Sequence, residues 1–412
     1  MQKRLLATVI SSLIASQAMA VEAVNPNNQK IDSGTQTTVY TDHNNTLAIG
    51  GRIGIQTETK DKKTSPGNDS SRLNLSFAHK ISDQTTGFAV AEWGYTPHNE
   101  YKNVNGKTEA GDTFSNRLGY LGIKNDKWGA LSFGKQWSVY YDIAGWTDQY
   151  AIGGGQAMGV YNGFTDDGGF SGTGRADAAI DYRGTFFHGL NVGAQYQLRD
   201  TNYDESNTSY SSGDVKRTGG YQVALSYDLP MGLSVGATYN ETNFDATQLN
   251  STSLNGLKSR ATVGGIKFHM NDLYLAGTYG QFENHTAATY GFDSSDISGS
   301  VLTPFSSNVA YNMSLDRKSR GIELYGRYRL SQLLDGGISL ETGWNKLDVQ
   351  KDNMNNDSDA KLDKAMVGAI YEVGSMQFAA EYIWNNSKYK DVATDAYKNG
   401  ENYFNLQARY YF

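Results

Sequence analysis

The chain is 412 residues long, carries a formal net charge of -7, and holds 46 glycines, 28 tyrosines, five prolines and no cysteine. Without cysteine, neither disulfides nor thiolate metal sites hold the fold, and the acidic balance argues against a nucleic-acid partner. The composition favours strands and tight turns, and beyond the N-terminus no apolar run reaches the ~18 residues that a membrane-crossing helix needs.

Residues 1–20 read as a secretory signal peptide. Lys3 and Arg4 form the charged start, Leu5 to Ile14 the apolar run, and Ala18-Met19-Ala20 a small-x-small cleavage site. Cleavage after Ala20 lowers the net charge to -9. Residues 21–43, with Asn25-Pro26-Asn27-Asn28, form a polar N-terminal extension. A disordered tail is the default expectation for it. The alternatives are a wrap around the base of the fold or entry into its interior. The fold itself is expected over residues 44–412.

From there, segments with apolar and polar residues in alternation follow one another. Leu47 to Gln56 sets Leu47, Ile49, Ile53 and Ile55 against Ala48, Gly50, Arg52, Gly54 and Gln56. Next comes Arg72 to Ala78, with Leu73, Leu75 and Phe77 on one face. Phe88–Tyr95, Arg117–Lys124 and Ala130–Lys135 follow. Arg175–Arg183 alternates Ala176, Ala178, Ile180 and Tyr182 with charged residues, and Leu190–Arg199 is the cleanest of all. The series continues with Tyr221–Asp228, Leu233–Asn240, Arg260–His269, Leu273–Phe282, Ile322–Leu330, Ile338–Asn345, Ala365–Glu372, Met376–Asn385 and Tyr403–Phe412. These are sixteen strands, because side chains two apart share a face.

The connections alternate in length. Short ones lie at Ser82-Asp83-Gln84, Asn125-Asp126-Lys127, Leu229 to Gly232, Asn271-Asp272, Gln332 to Asp335 and Val373-Gly374-Ser375. Long polar stretches lie between them, including Thr57–Ser70, Thr96–Ser115, Gln136–Gly174 and Glu283–Lys318. Short turns on one side and long loops on the other describe an outer-membrane barrel with periplasmic turns and extracellular loops. In hydrocarbon every backbone polar group needs a partner within the protein, so the last strand must meet the first. The expected fold is therefore all-β, a 16-stranded antiparallel transmembrane β-barrel. Trp93, Tyr95, Trp344, Trp384 and Tyr410 suit interfacial girdles or ordinary sheet packing.

No catalytic signature is present, and six scattered histidines lack metal-ligand spacing. The chain therefore reads as a non-enzyme without cofactor or metal. Charge on the inward faces is the distinctive feature. Arg52, Arg72 and Arg117 lie opposite the apolar residues of their strands, and an arginine facing lipid at mid-depth would cost roughly 2–4 kcal/mol. Lys135 and Arg175 bracket the long third loop, whose acids are Asp142, Asp148, Asp166 and Asp167. A basic wall facing an acidic loop would set a field across an aqueous constriction; alternatively, these charges pair locally and only solvate a lumen.

The chain resembles the trimeric general porins of the Gram-negative outer membrane. The similarity is most specific in Asn116-Arg117-Leu118-Gly119-Tyr120-Leu121-Gly122, Phe133-Gly134-Lys135, Tyr140 to Asp148, and Asp181 to Leu190. It implies a homotrimer in outer-membrane lipid and lipopolysaccharide, with the third loop folded into each pore. Small hydrophilic solutes and ions would pass by diffusion. Arg52, Arg72, Arg117, Lys135 and Arg175 would match the basic cluster at the constriction, and Asp148 one of two loop acids. The family's Pro-Glu-Phe-Gly-Gly stretch reads Ala151-Ile152-Gly153-Gly154-Gly155 here, so the second acid is replaced by Ile152. Only weak cation preference is expected as a result. The terminal strand, with Tyr410 and Phe412, would be the assembly signal read by the barrel assembly machinery. Trp137, Tyr140, Tyr141, Trp146 and Tyr150 make the third loop aromatic, suited to stacking on sugars or to packing against the wall. An oligosaccharide-selective porin, or a surface receptor or adhesin using the long loops, is the alternative function.

Overall fold

Alternation along each strand becomes a two-faced wall. In Tyr221–Tyr227, Val223 is 51% exposed while its neighbours Gln222 and Ala224 are 2% and 5% exposed. One face is an apolar exterior and the other is packed within. The computed structural model describes residues 36–97, 101–104, 107–110, 114–161, 167–169, 171–200, 215–247, 253–285, 318–333, 336–349, 361–390 and 397–412.

Sixteen strands make the wall: β1 (Asn45–Lys60), β2 (Ser71–Ser82), β3 (Thr85–Tyr95), β4 (Phe114–Asn125), β5 (Gly129–Trp137), β6 (Arg175–Phe186), β7 (Leu190–Gln197) and β8 (Val215–Asp228), then β9 (Leu233–Thr247), β10 (Ser253–Met270), β11 (Leu273–Glu283), β12 (Lys318–Leu333), β13 (Gly336–Val349), β14 (Lys361–Val373), β15 (Met376–Asn385) and β16 (Tyr403–Tyr411). Each pairs antiparallel with its neighbours in chain order. The barrel closes where β16 pairs with β1, Arg52 opposite Tyr411 and Thr59 opposite Phe404. Fourteen of the sixteen expected segments lie within these strands; Leu190–Arg199 and Tyr403–Phe412 start with theirs and run past the ends at Gln197 and Tyr411.

At the seam Phe412 and Gly51 exchange backbone hydrogen bonds of 3.1 and 3.0 Å. A Cβ at Gly51 would run into the Phe412 ring, so glycine lets the terminal aromatic lie against β1. Tyr410 and Phe412 both keep exposed rings.

Paired chain is present ahead of Asn44. A further strand, Thr37–Thr41, pairs with β1 from Ile49 down to Thr46, in line with the end of β16. At Gln36 the chain leaves this ladder on the inner side, because Phe412 occupies the next place beside β1. Gln36 is buried, its backbone lies over Gly50, and its Nε2 donates to Asn74 and to Ser76 Oγ at 2.6 Å. Residues 36–43 are thus not a free tail. Residues 1–35, which hold the expected signal peptide, lie outside the described residues.

The sixth segment also departs from simple alternation. Ala178 has φ of +46° and the register with β5 shifts between Ala176 and Ala179, which are both buried. An extra residue at a bulge reverses the facing of everything beyond it.

Candidate functional site: the charged lumen

The basic wall begins with a break in the β1–β2 ladder. Ser70 adopts a φ of +46°, uncommon for a residue with a side chain, and turns its carbonyl inward. Ser71 Oγ fills the gap on the backbone of Gly54, accepting from its N–H at 2.9 Å and donating to its carbonyl at 3.1 Å. The Ser70 carbonyl accepts from Arg52 Nε at 3.3 Å and Arg72 Nε at 3.0 Å. Arg117 Nε donates to Glu92 Oε1 at 2.8 Å, and Arg72 NH1 lies 3.9 Å from the same oxygen. Guanidiniums taken out of water need such partners to stay charged.

Between β5 and β6 the chain makes a short helix, α1 (Tyr141–Ala144), and then crosses to the far wall. There it meets a row of carboxylates. Glu323 on β12 accepts from Thr147 Oγ1 at 2.5 Å and from the Ala157 N–H at 2.6 Å. Glu341 on β13 accepts from the Ala151 N–H at 3.2 Å, and Glu381 on β15 from the Gly153 N–H at 3.0 Å. Gln407 Nε2 and Arg409 NH2 on β16 donate to the Ala151 carbonyl at 2.7 and 2.8 Å. An irregular segment carries unpaired backbone donors, and acidic side chains on β12, β13 and β15 satisfy them.

Arg52, Arg72, Arg117 and Arg175 line one cavity of about 1080 Å³ together with Trp137, Tyr141, Asp142, Trp146, Asp148 and Tyr150. Asp148 Oδ2 accepts from Tyr141 Oη at 2.9 Å and Tyr161 Oη at 2.7 Å. Gly155 sits so close to this carboxylate that a Cβ would collide with it, and its φ is +67°. Asp142 is pinned by Arg183 Nε at 2.9 Å.

Other expected members fall elsewhere. Lys135 is not part of the cavity lining; its Nζ lies 2.6 Å from Asp167 Oδ2, which is 3.6 Å from Arg175 Nε. Burial pushes the Asp167 carboxyl upward, but Arg175 and Lys135 outweigh it and hold the group below its usual range. Asp166 lies outside the described residues.

Tyr140 is fully buried and donates to the Met158 carbonyl at 2.7 Å, so it is a packing residue and not a lumen aromatic. Trp137 stacks on Tyr141 with ring centroids 4.3 Å apart, and the Arg175 guanidinium lies 5.6 Å from its centroid. Trp146 faces Lys267 Nζ at 4.8 Å, and Tyr150 Oη donates to the Leu324 carbonyl at 3.0 Å.

Sequence reasoning missed Asp69, whose carboxylate takes Arg409 at both oxygens, and the lumen cations Lys267, Arg327 and Arg409. Inward parity within their strands was the available signal. It did not reveal which cations meet across the barrel.

The Gram-negative porin family model matches residues 7–412. Outer membrane porin F of Xenorhabdus nematophila is 30% identical, with 81% of this chain and 80% of that protein covered. Among solved structures, Salmonella typhi OmpF in complex with daunomycin superposes with a TM-score of 0.66 at 18% identity, covering 91% of this chain and 100% of that one. The trimer form of in-vitro folded OmpT from Vibrio cholerae gives a TM-score of 0.55 at 18% identity, covering 90% of this chain and 100% of that one.

Proposed function

The chain belongs to the Gram-negative porin family, and we propose that its third loop narrows the barrel to a charged constriction through which small hydrophilic solutes and ions diffuse. It is an outer-membrane porin, a channel for passive diffusion. Arg52, Arg72, Arg117 and Arg175 form one side of the narrow zone, Asp148 the other, and Lys135 and Asp167 support Arg175 from behind. The observation that carries this reading is the shared cavity: the four arginines and Asp148 border the same space of about 1080 Å³ inside a closed wall. Opposed charges across a narrow aqueous gap orient polar solutes and disfavour apolar ones of equal size. A planar-bilayer recording tests it: the purified protein should give a large ohmic conductance that rises in proportion to bulk salt. A non-conducting barrel would leave the receptor or adhesin reading instead.

The loop aromatics favour packing over sugar stacking. A stacking platform needs an open ring face, and Trp137 has Tyr141 on one ring contact and Arg175 on another. Specific block by one oligosaccharide at low concentration would reverse this preference.

Assembly as a homotrimer is part of the proposal. The outer wall carries an apolar groove where Ala369, Ala380 and Ala408 leave small residues on β14, β15 and β16 beside Ile55 of β1. Closely approaching walls need small residues, and a ring of identical subunits needs head-to-tail contacts. The second loop, which contains the hairpin Tyr101–Val104 with Lys107–Ala110, would latch onto a neighbour. Lipopolysaccharide contacts and use of the terminal strand by the barrel assembly machinery belong to the same reading.

A further inference from the structure

We propose that this pore passes small anions, such as chloride and small carboxylates, in preference to cations of the same size. The inference rests on the channel reading above and deepens it. The four arginines of the basic wall are joined on the cavity surface by Lys267 of β10, Arg327 of β12 and Arg409 of β16. Among the described residues, seven arginine and lysine side chains therefore border the cavity, against four carboxylates: Asp69, Asp142, Asp148 and Glu372.

Each of those four carboxylates is engaged, and the pairs Arg409–Asp69 and Arg327–Glu372 cancel within the lining, which leaves five cations against Asp142 and Asp148. Arg409 clasps Asp69, Arg183 Nε reaches Asp142 at 2.9 Å, Arg327 NH2 lies 3.2 Å from Glu372, and two tyrosine hydroxyls cap Asp148. The place on the loop next to the latched Ala151 carries the apolar Ile152. Three further carboxylates, Glu323, Glu341 and Glu381, are buried and do not line the cavity. The loop segments that bond them stand between them and the water, and their charge is met by backbone N–H dipoles. The cations are also spread around the circumference, on β1, β2, β4, β6, β10, β12 and β16, so the positive field spans the passage and is not confined to one side. The net charge of the whole chain is negative, but ions sense the charges lining the path, because those on outer loops are screened within about 8–10 Å at working salt.

The test is the zero-current reversal potential of the purified full chain in a potassium chloride gradient across a planar bilayer. The expected sign is chloride preference. Lys267→Glu should then lower the chloride-to-potassium permeability ratio by roughly two- to five-fold. A conducting wild-type channel that prefers potassium overturns the inference and leaves the porin reading intact. An inserted, conducting Lys267→Glu variant with an unchanged ratio also counts against it. Absence of any conductance in the wild type removes the channel reading and this inference together.

Discussion

Arg52 and Arg72 stand directly opposite each other on β1 and β2, and both donate through Nε to the carbonyl of Ser70. Two like charges side by side repel, so a shared acceptor and the nearby Glu92 are what keep them together. The pair is a fixed patch of positive potential, held by a backbone break that uses Ser70 in the left-handed region.

The first prediction follows from that pair. Arg52→Gln with Arg72→Gln should leave the wall assembled, because the side chains lie on the inner face and the ladder does not depend on them. The reversal potential should move toward cations and the conductance should change. An unaltered potential in an inserted double variant would place the pair away from the ion path.

The second concerns how the third loop is held. Glu323→Ala removes the acceptor for both the Ala157 N–H and Thr147 Oγ1. Orphaning a buried donor costs about 1–3 kcal/mol, so the loop should loosen while the barrel persists. Single-channel recordings should show excess open-channel noise and a larger mean conductance. Quiet, wild-type traces would show that the loop keeps its place without this latch.

The third concerns association. Ala380 on β15 lies in the apolar outer groove, with Ala369 across one strand pair and Leu406 across the other. The wild type should crosslink as a trimer in mild detergent, and Ala380→Trp should leave the barrel inserted but yield monomer. Equal crosslinking of both proteins would move the interface to another part of the wall.

The fourth is a pH dependence. His285, beyond the end of β11, is buried between Ser259 Oγ at 2.8 Å and the Gly159 carbonyl at 2.9 Å. Burial pushes the imidazole down to about 4, against the smaller opposing effect of the Gly159 carbonyl. A base with a depressed folded-state value is disfavoured only when the unfolded chain binds the proton. Its cost is therefore absent above pH 6.5, grows as pH falls, and levels off below about 4, reaching about 3 kcal/mol. Acid sensitivity in that window should diminish in His285→Gln; an identical pH profile for both proteins would contradict the assignment.

Much of the wall was legible because a period of two is written into every strand that has lipid on one side and water on the other. Bulges were not legible. Ala178 breaks the alternation of β6, and nothing in a run of small residues marks that turn. Strand ends were underestimated as well: β10 begins at Ser253, well before Arg260, because its polar residues go on pairing with β9 past the apolar band. Inward facing did not mean open to water. Gln195 faces inward as its alternation requires, yet it is buried and accepts the Val139 N–H at 3.2 Å, so an arginine there would displace the loop. The four arginines of the wall came from parity and family resemblance. Their partners Glu92, Ser70 and Asp69 did not, since which side chains meet across strands depends on register and on one local backbone break.

The central claim is that the third loop borders the water path. Ile152 lies on that loop and lines the cavity, and the chain has no native cysteine. Ile152→Cys therefore gives a single reactive site. Treating an open channel that carries this substitution with a charged, membrane-impermeant thiol reagent should lower its conductance in discrete irreversible steps, with no effect on the wild type. Complete modification, verified by mass, with conductance and reversal potential unchanged would contradict the account.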